Sequence, residues 1–241
     1  MEKACDRGSI PLSRTKMTIK EDFEKLADPE RAKHSQRYFK TGKGEYGEGD
    51  VFLGMTMPQQ RTLAKKYVGL SLDQIQELLD SKIHEYRMVA LVILTLQYKK
   101  EPKEIFDFYL KNTQRINNWD LVDVSSYKIV GDYLLDKDRM ILYDLAKSSD
   151  LWAKRISIIS TFRFIQENQF EDSIKIAEIL LHDNHDLIHK AVGWMLREVG
   201  KKDKAVLEQF LSKYSKEMPR TMLRYSIERF SPEERAHYMK K

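Results

Sequence analysis

Asp123 stands four residues after Trp119 in the run Asn118-Trp119-Asp120-Leu121-Val122-Asp123, and on a helix residues four apart share one face. An indole plane beside a carboxylate is poor core material. It is a good surface for positive charge, because the π face and the acid both attract a cation. Two other tryptophans also carry charge at helical spacing: Trp194 follows Lys190 by four residues and precedes Arg197 by three, and Trp152 precedes Arg155 by three. Trp119 and Trp194 are expected on a ligand-facing surface. Trp152, between Leu151 and Ala153, suits an interhelical contact as well as a groove. With no cation close to it in its own segment, Asp123 is costly to bury unless it meets water or a positive ligand, so it is the expected working carboxylate.

Other letter patterns carry less chemistry. Gly42-Lys43-Gly44-Glu45-Tyr46-Gly47 matches G-x-G-x-x-G, but Arg37 to Lys40 continue a helix and not a strand, and Glu48-Gly49-Asp50 do not open one, so no phosphate-cradling βαβ unit is present. A structured loop is expected there, with Tyr46, Phe52 and Leu53 pinning it to neighbouring helices and Lys40 and Lys43 within reach of a phosphate. His185 and His189 are four apart but lack a third ligand at a defined spacing, and Asp183 and Asp186 look like capping residues. No metal and no organic cofactor is implied.

The elements that must position these residues are helices. Asp28-Pro29, Met57-Pro58, Glu101-Pro102, Met218-Pro219 and Ser231-Pro232 put proline where a first helical turn tolerates it, and Ser231 with Glu234 reads as a capping box. Apolar residues recur at three and four, as in Val89, Val92, Ile93 and Leu96, and alternating strand patterns are missing. The chain is expected to be all-α. Arg87, Arg155, Lys190 and Arg224 each open an apolar helical run, and they lie 68, 35 and 34 residues apart, which is a repeat of about 34 with one marker falling near residue 121. Such a period predicts a HEAT-like solenoid of antiparallel helix pairs, a single domain over 17–241 behind a loose tail at 1–16. The four cations would then form a basic stripe on the concave face, broken by an acidic spot at Asp120 and Asp123. A stripe of this kind suits a phosphate backbone, and it equally suits a charge ladder between repeats.

Composition sets the class. The chain has 241 residues, 41% of them hydrophobic, and a formal net charge of +5, so it can bury one sizeable core and is compatible with a polyanionic partner. Cys5 is the only cysteine, which excludes a disulfide framework and a thiolate metal site and fits a reducing cytosol. The most hydrophobic stretch, Met88 to Leu96, is too short to cross a bilayer. A cytoplasmic protein is expected, nucleoid-associated if bacterial, and an open-ended groove suggests a monomer with no obligate protein partner.

From about Tyr38 onward the sequence resembles the AlkD family of alkylpurine DNA glycosylases. The resemblance is carried by Phe52-Leu53-Gly54 with Pro58 and Arg61, by Trp119-Asp120-Leu121-Val122-Asp123 with Gly131-Asp132, by Trp152 to Arg155, and by Lys190-Ala191-Val192-Gly193-Trp194-Met195-Leu196-Arg197-Glu198. It implies hydrolysis of the N-glycosidic bond of cationic N3- and N7-alkylated purines in duplex DNA, without the base extrusion most glycosylases use. It places the catalytic acid on Asp123, groove tryptophans on Trp119 and Trp194, and a groove arginine on Arg155. Lys190, Arg197, Arg87, Arg224 and Lys43 are the further expected DNA contacts. The tail at 1–16 has no counterpart in the family, and the Gly-rich stretch from Thr41 to Asp50 is longer than is usual there. The residues by themselves also fit a non-catalytic helical-repeat module for nucleic acid, or a scaffold whose groove takes an acidic peptide.

Overall fold

The computed structural model describes residues 18–240, so the tail at 1–16 with Cys5 lies outside the described residues. Helices α1 (Ile19–Lys25) and α2 (Pro29–Tyr38) open the described chain, and α3 (Met57–Lys66), α4 (Leu72–Leu79) and α5 (His84–Gln97) follow a Gly-rich loop. Next come α6 (Pro102–Lys111), α7 (Trp119–Ser126), α8 (Met140–Ala146), α9 (Leu151–Ser160) and α10 (Phe162–Gln166). The series ends with α11 (Glu171–Ile179), α12 (Asp186–Lys202), α13 (Lys204–Tyr214), α14 (Arg220–Ser226) and α15 (Pro232–Met239). A π-helical turn, Tyr127–Gly131, runs on from α7. Among the described residues strand pairing amounts to one isolated bridge, between Val51 and Ile83.

The helices stack in two layers. α5, α7, α9, α12 and α14 lie side by side in chain order, with α4 on α5, α6 on the π-helical turn, α8 on α9, and α11 and α13 on α12. Every helix that carries a marker residue is therefore an inner-layer helix, as the 34-residue period requires. α5 has neighbours on several sides, and Val89, Ala90, Leu91, Ile93 and Leu94 are fully buried; burying each large apolar side chain there contributes about 1.5–3 kcal/mol. Met88 to Leu94 thus lies in the core, while Leu96 at the end of the same stretch is exposed, and no helix among the described residues is long and apolar enough to cross a membrane.

Polar contacts recur at the same interval as the helices. Arg163 reaches Asp132, Arg139 reaches Asp172, Lys154 reaches Asp183 and Arg197 reaches Glu228, over separations of 31, 33, 29 and 31 residues. Each is a rung between one repeat and its neighbour.

The punctuation of the sequence is visible at the helix ends. Pro29, Pro58, Pro102 and Pro232 sit in first turns, and the Ser231 hydroxyl and Glu234 carboxylate form the reciprocal capping box. Pro219 instead occupies the N-cap of α14, one place earlier, where its missing N–H costs no helical bond. Gly193 permits the close approach of α12 and α14. A Cβ at that position would stand 2.6 Å from both the Met222 carbonyl oxygen and the Tyr225 Cβ.

Candidate active site

α7 begins at Trp119 because Asn118 closes the preceding turn and accepts the Trp119 N–H at 2.9 Å. One turn later Asp123 points the same way, and both residues line a cavity of about 620 Å³ on the concave side. Its other walls are Tyr38 at the end of α2, Lys40 and Tyr46 from the Gly-rich loop, Arg155 of α9, and Lys190, Trp194 and Arg197 of α12, with Tyr225 of α14. The structure therefore brings together Trp119, Asp123, Arg155, Lys190, Trp194 and Arg197 from the expected set.

Asp123 is not without a cation. Arg155 Nε donates to its Oδ1 at 2.8 Å and Nη2 to its Oδ2 at 2.7 Å, while Nη1 donates to the Leu187 carbonyl at 2.7 Å. The sequence expectation fails here because the partner comes from the next repeat, beyond any spacing within a helix. Burial pushes the Asp123 carboxyl above its ordinary pKa, against the opposing pull of the Arg155 guanidinium. The acid keeps 18% of its side chain exposed to the cavity, and the arginine is held by this pair and is not a free contact for phosphate.

Trp119 is fixed by rings behind it. Phe39 stacks on the indole at 5.4 Å, Phe52 on Phe39 at 4.9 Å, and the His84 ring on Phe52 at 4.5 Å, while Tyr38 meets the indole edge-on at 6.1 Å. His84 in turn bridges two carboxylates, Nδ1 to Asp50 at 3.0 Å and Nε2 to Asp120 at 2.8 Å. Burial alone would lower the His84 pKa, but the Asp120 charge and the bonds to both acids raise it to about 9. At neutral pH both ring nitrogens therefore carry protons, and one imidazolium ties the end of the Gly-rich loop to the start of α7. Trp194 donates its Nε1–H to Glu198 at 3.2 Å and sits 6.0 Å from the Phe162 ring. Trp152 is a core residue and touches Tyr46 edge-on.

The expected basic stripe is not a row of free cations. Arg87 is only 5% exposed and pairs with Asp50 at 2.6 Å, donating also to the Ser81 carbonyl, so it lines no groove. From the first turn of α5 it ties the end of the Gly-rich loop to the turn that precedes the helix. Lys190 pairs with Asp186 one turn earlier on α12, and Arg197 with Glu228 of the next repeat and with Glu198 beside it, so both cations are engaged and only Arg197 spans two repeats. Arg224 is exposed beside the Tyr225 ring, and Lys43 is exposed on the Gly-rich loop; neither lines the cavity. His185 caps α12 through Nδ1, and His189 meets the Asp183 carbonyl. Tyr38 and Tyr225 escaped sequence reasoning because an isolated tyrosine carries no spacing signal.

The profile of a family described as DNA alkylation repair enzyme matches residues 19–230. Among solved structures, a predicted DNA alkylation repair enzyme from Enterococcus faecalis is similar with a TM-score of 0.70 at 19% identity, over 86% of this chain and 98% of that one. AlkD2 from Streptococcus mutans is similar with a TM-score of 0.54 at 18% identity, over 89% of this chain and 100% of that one. No protein of curated function matches the sequence.

Proposed function

Because the chain belongs to the DNA alkylation repair enzyme family, we propose that it is a monofunctional DNA N-glycosylase that removes cationic N3- and N7-alkylated purines from duplex DNA. The observation that carries this reading is an Arg-clamped carboxylate, Asp123, in a concave cavity that it shares with Trp119 and Trp194.

An alkylated purine already bears positive charge, so the bond from the sugar C1′ to its nitrogen is weak and the base leaves neutral with its bonding electron pair. Positive charge then grows on the sugar. The Asp123 carboxylate, held in one orientation by Arg155, faces that charge without having to reorganise, and the indole faces add attraction for the same cation. Water adds its oxygen to C1′ and gives up a proton, leaving an abasic site. No lysine nucleophile takes part, so the strand is not cut.

Release of free 7-methylguanine or 3-methyladenine from methylated duplex DNA tests the assignment. Turnover by the wild-type chain and its loss in Asp123→Asn is the expected result. An absence of released base at high protein concentration would overturn it and leave a non-catalytic DNA-binding module.

A further inference from the structure

The Gly-rich loop is a built wall of the cavity. Gly42 and Gly44 N–H groups are each held at 2.8 Å, by the Glu45 and Glu48 carboxylates, and the Gly47 N–H donates to the Lys40 carbonyl at 3.0 Å. A side chain at Gly47 would bring a Cβ to 2.4 Å from the Phe39 carbonyl oxygen, so this crossing requires glycine. The far end is locked by Asp50 on His84 and Arg87. Held this way, Tyr46 meets the Trp152 ring edge-on at 6.0 Å and lines the cavity with Trp119.

The loop also supplies the cavity's available cation. Arg155, Lys190 and Arg197 are engaged by Asp123, Asp186 and Glu228. Among the described residues, Lys40 lines the same cavity, is exposed, and has no carboxylate at salt-bridge distance. Its backbone is in the left-handed region, φ 55°, and Tyr38, two residues before it, meets Trp119 edge-on. An unpaired ammonium on the rim of an aromatic cavity is matched to a phosphate group, because the contact does not first have to break an ion pair.

We propose that the Gly-rich loop is a nucleotide clamp, in which Lys40 binds a backbone phosphate beside the target nucleotide and Tyr46 packs its ring on that nucleotide's sugar. The clamp rests on the DNA reading of the cavity and adds to it the two groups that seat the substrate. Lys40 and Tyr46 are binding groups here: they hold the phosphate and the sugar, and neither touches the departing base.

The test is binding, with no turnover required. A duplex carrying one tetrahydrofuran abasic analogue is titrated with the full chain over a range of NaCl concentrations. Lys40→Met should weaken affinity and reduce the slope of log K against log salt by about 0.9, the value of one phosphate contact, with Lys40→Arg restoring it. Tyr46→Ala should weaken affinity about fivefold at fixed salt without changing the slope, and Tyr46→Phe should bind like wild type. An unchanged slope in Lys40→Met, or wild-type affinity in Tyr46→Ala, overturns the clamp while leaving the glycosylase reading intact. A wild-type chain that binds DNA with the expected slopes and releases no base overturns the glycosylase reading and keeps the clamp. Wild-type protein with no salt-dependent DNA binding overturns both.

Discussion

Arg155 grips both carboxylate oxygens of Asp123, at 2.8 and 2.7 Å, from a helix one repeat further along the chain. The pair joins α7 to α9 and places the one acid that shares a helix face with Trp119. Removing either partner leaves the other buried charge without its counter-ion, which costs about 3–5 kcal/mol. Arg155→Ala is therefore expected to lower stability by that amount and to abolish base release. Chemical unfolding beside a release assay checks both; a variant of wild-type stability would show that the pair contributes nothing.

Asp123→Asn keeps the shape and removes the charge. With the carboxylate acting on the developing sugar cation, loss of about 2.7–4 kcal/mol of transition-state stabilisation corresponds to a drop of about 10²–10³ in kcat. Affinity for undamaged duplex should change little, because Asp123 is not a phosphate contact. An Asp123→Asn protein with wild-type turnover would remove Asp123 from the chemistry.

The pH dependence follows from the raised carboxyl of Asp123. A group raised above the ordinary aspartate value of about 3.9 takes up its proton earlier on acidification, so the acidic limb of enzyme-dependent release should fall at a pH above that value. Rates corrected for spontaneous depurination, measured from neutral pH downward, test this; a limb at or below the ordinary value contradicts the buried setting of the acid.

His84 gives a second pH signature, in stability. Its folded pKa of about 9 lies above the unsupported value of 6.5, so the folded state binds its proton more tightly than the unfolded chain does. The stabilisation is complete below pH 6.5 and is lost as pH rises through about 9. Wild-type protein should show a falling unfolding midpoint over that window, and His84→Asn should start lower and fall less. Parallel curves for the two proteins would show that the bridge to Asp50 and Asp120 carries no such linkage.

Gly193→Ala tests the packing that brings Tyr225 to the cavity. The added methyl meets a carbonyl oxygen and a side-chain root at 2.6 Å each, so α12 and α14 must separate, at a cost of about 1–3 kcal/mol. Chemical unfolding should register the loss. Unchanged stability would mean that α14 yields freely.

The sequence announces what is local. Trp119 with Asp123, Trp194 with its flanking charges, the proline-marked helix starts and the period of about 34 all depend on spacings within one helix or between equivalent helices, and each is found in its expected element. What it hides is the partner across a repeat. Nothing near Arg87 in sequence announces Asp50, and nothing near Asp123 announces Arg155, so cations that look free prove engaged. Tyr46 was legible as a residue that pins the loop; that the loop folds into the groove depends on Gly47 crossing Phe39 and on Asp50 reaching His84. Such placements come from tertiary packing and leave no periodic trace.

One guanidinium, that of Arg155, holds the acid of α7 and also the Leu187 carbonyl in the first turn of α12. Three successive spans of the arch are thereby pinned at a single point. A shift of α7 or of the start of α12 against α9 therefore acts directly on the contacts that aim Asp123.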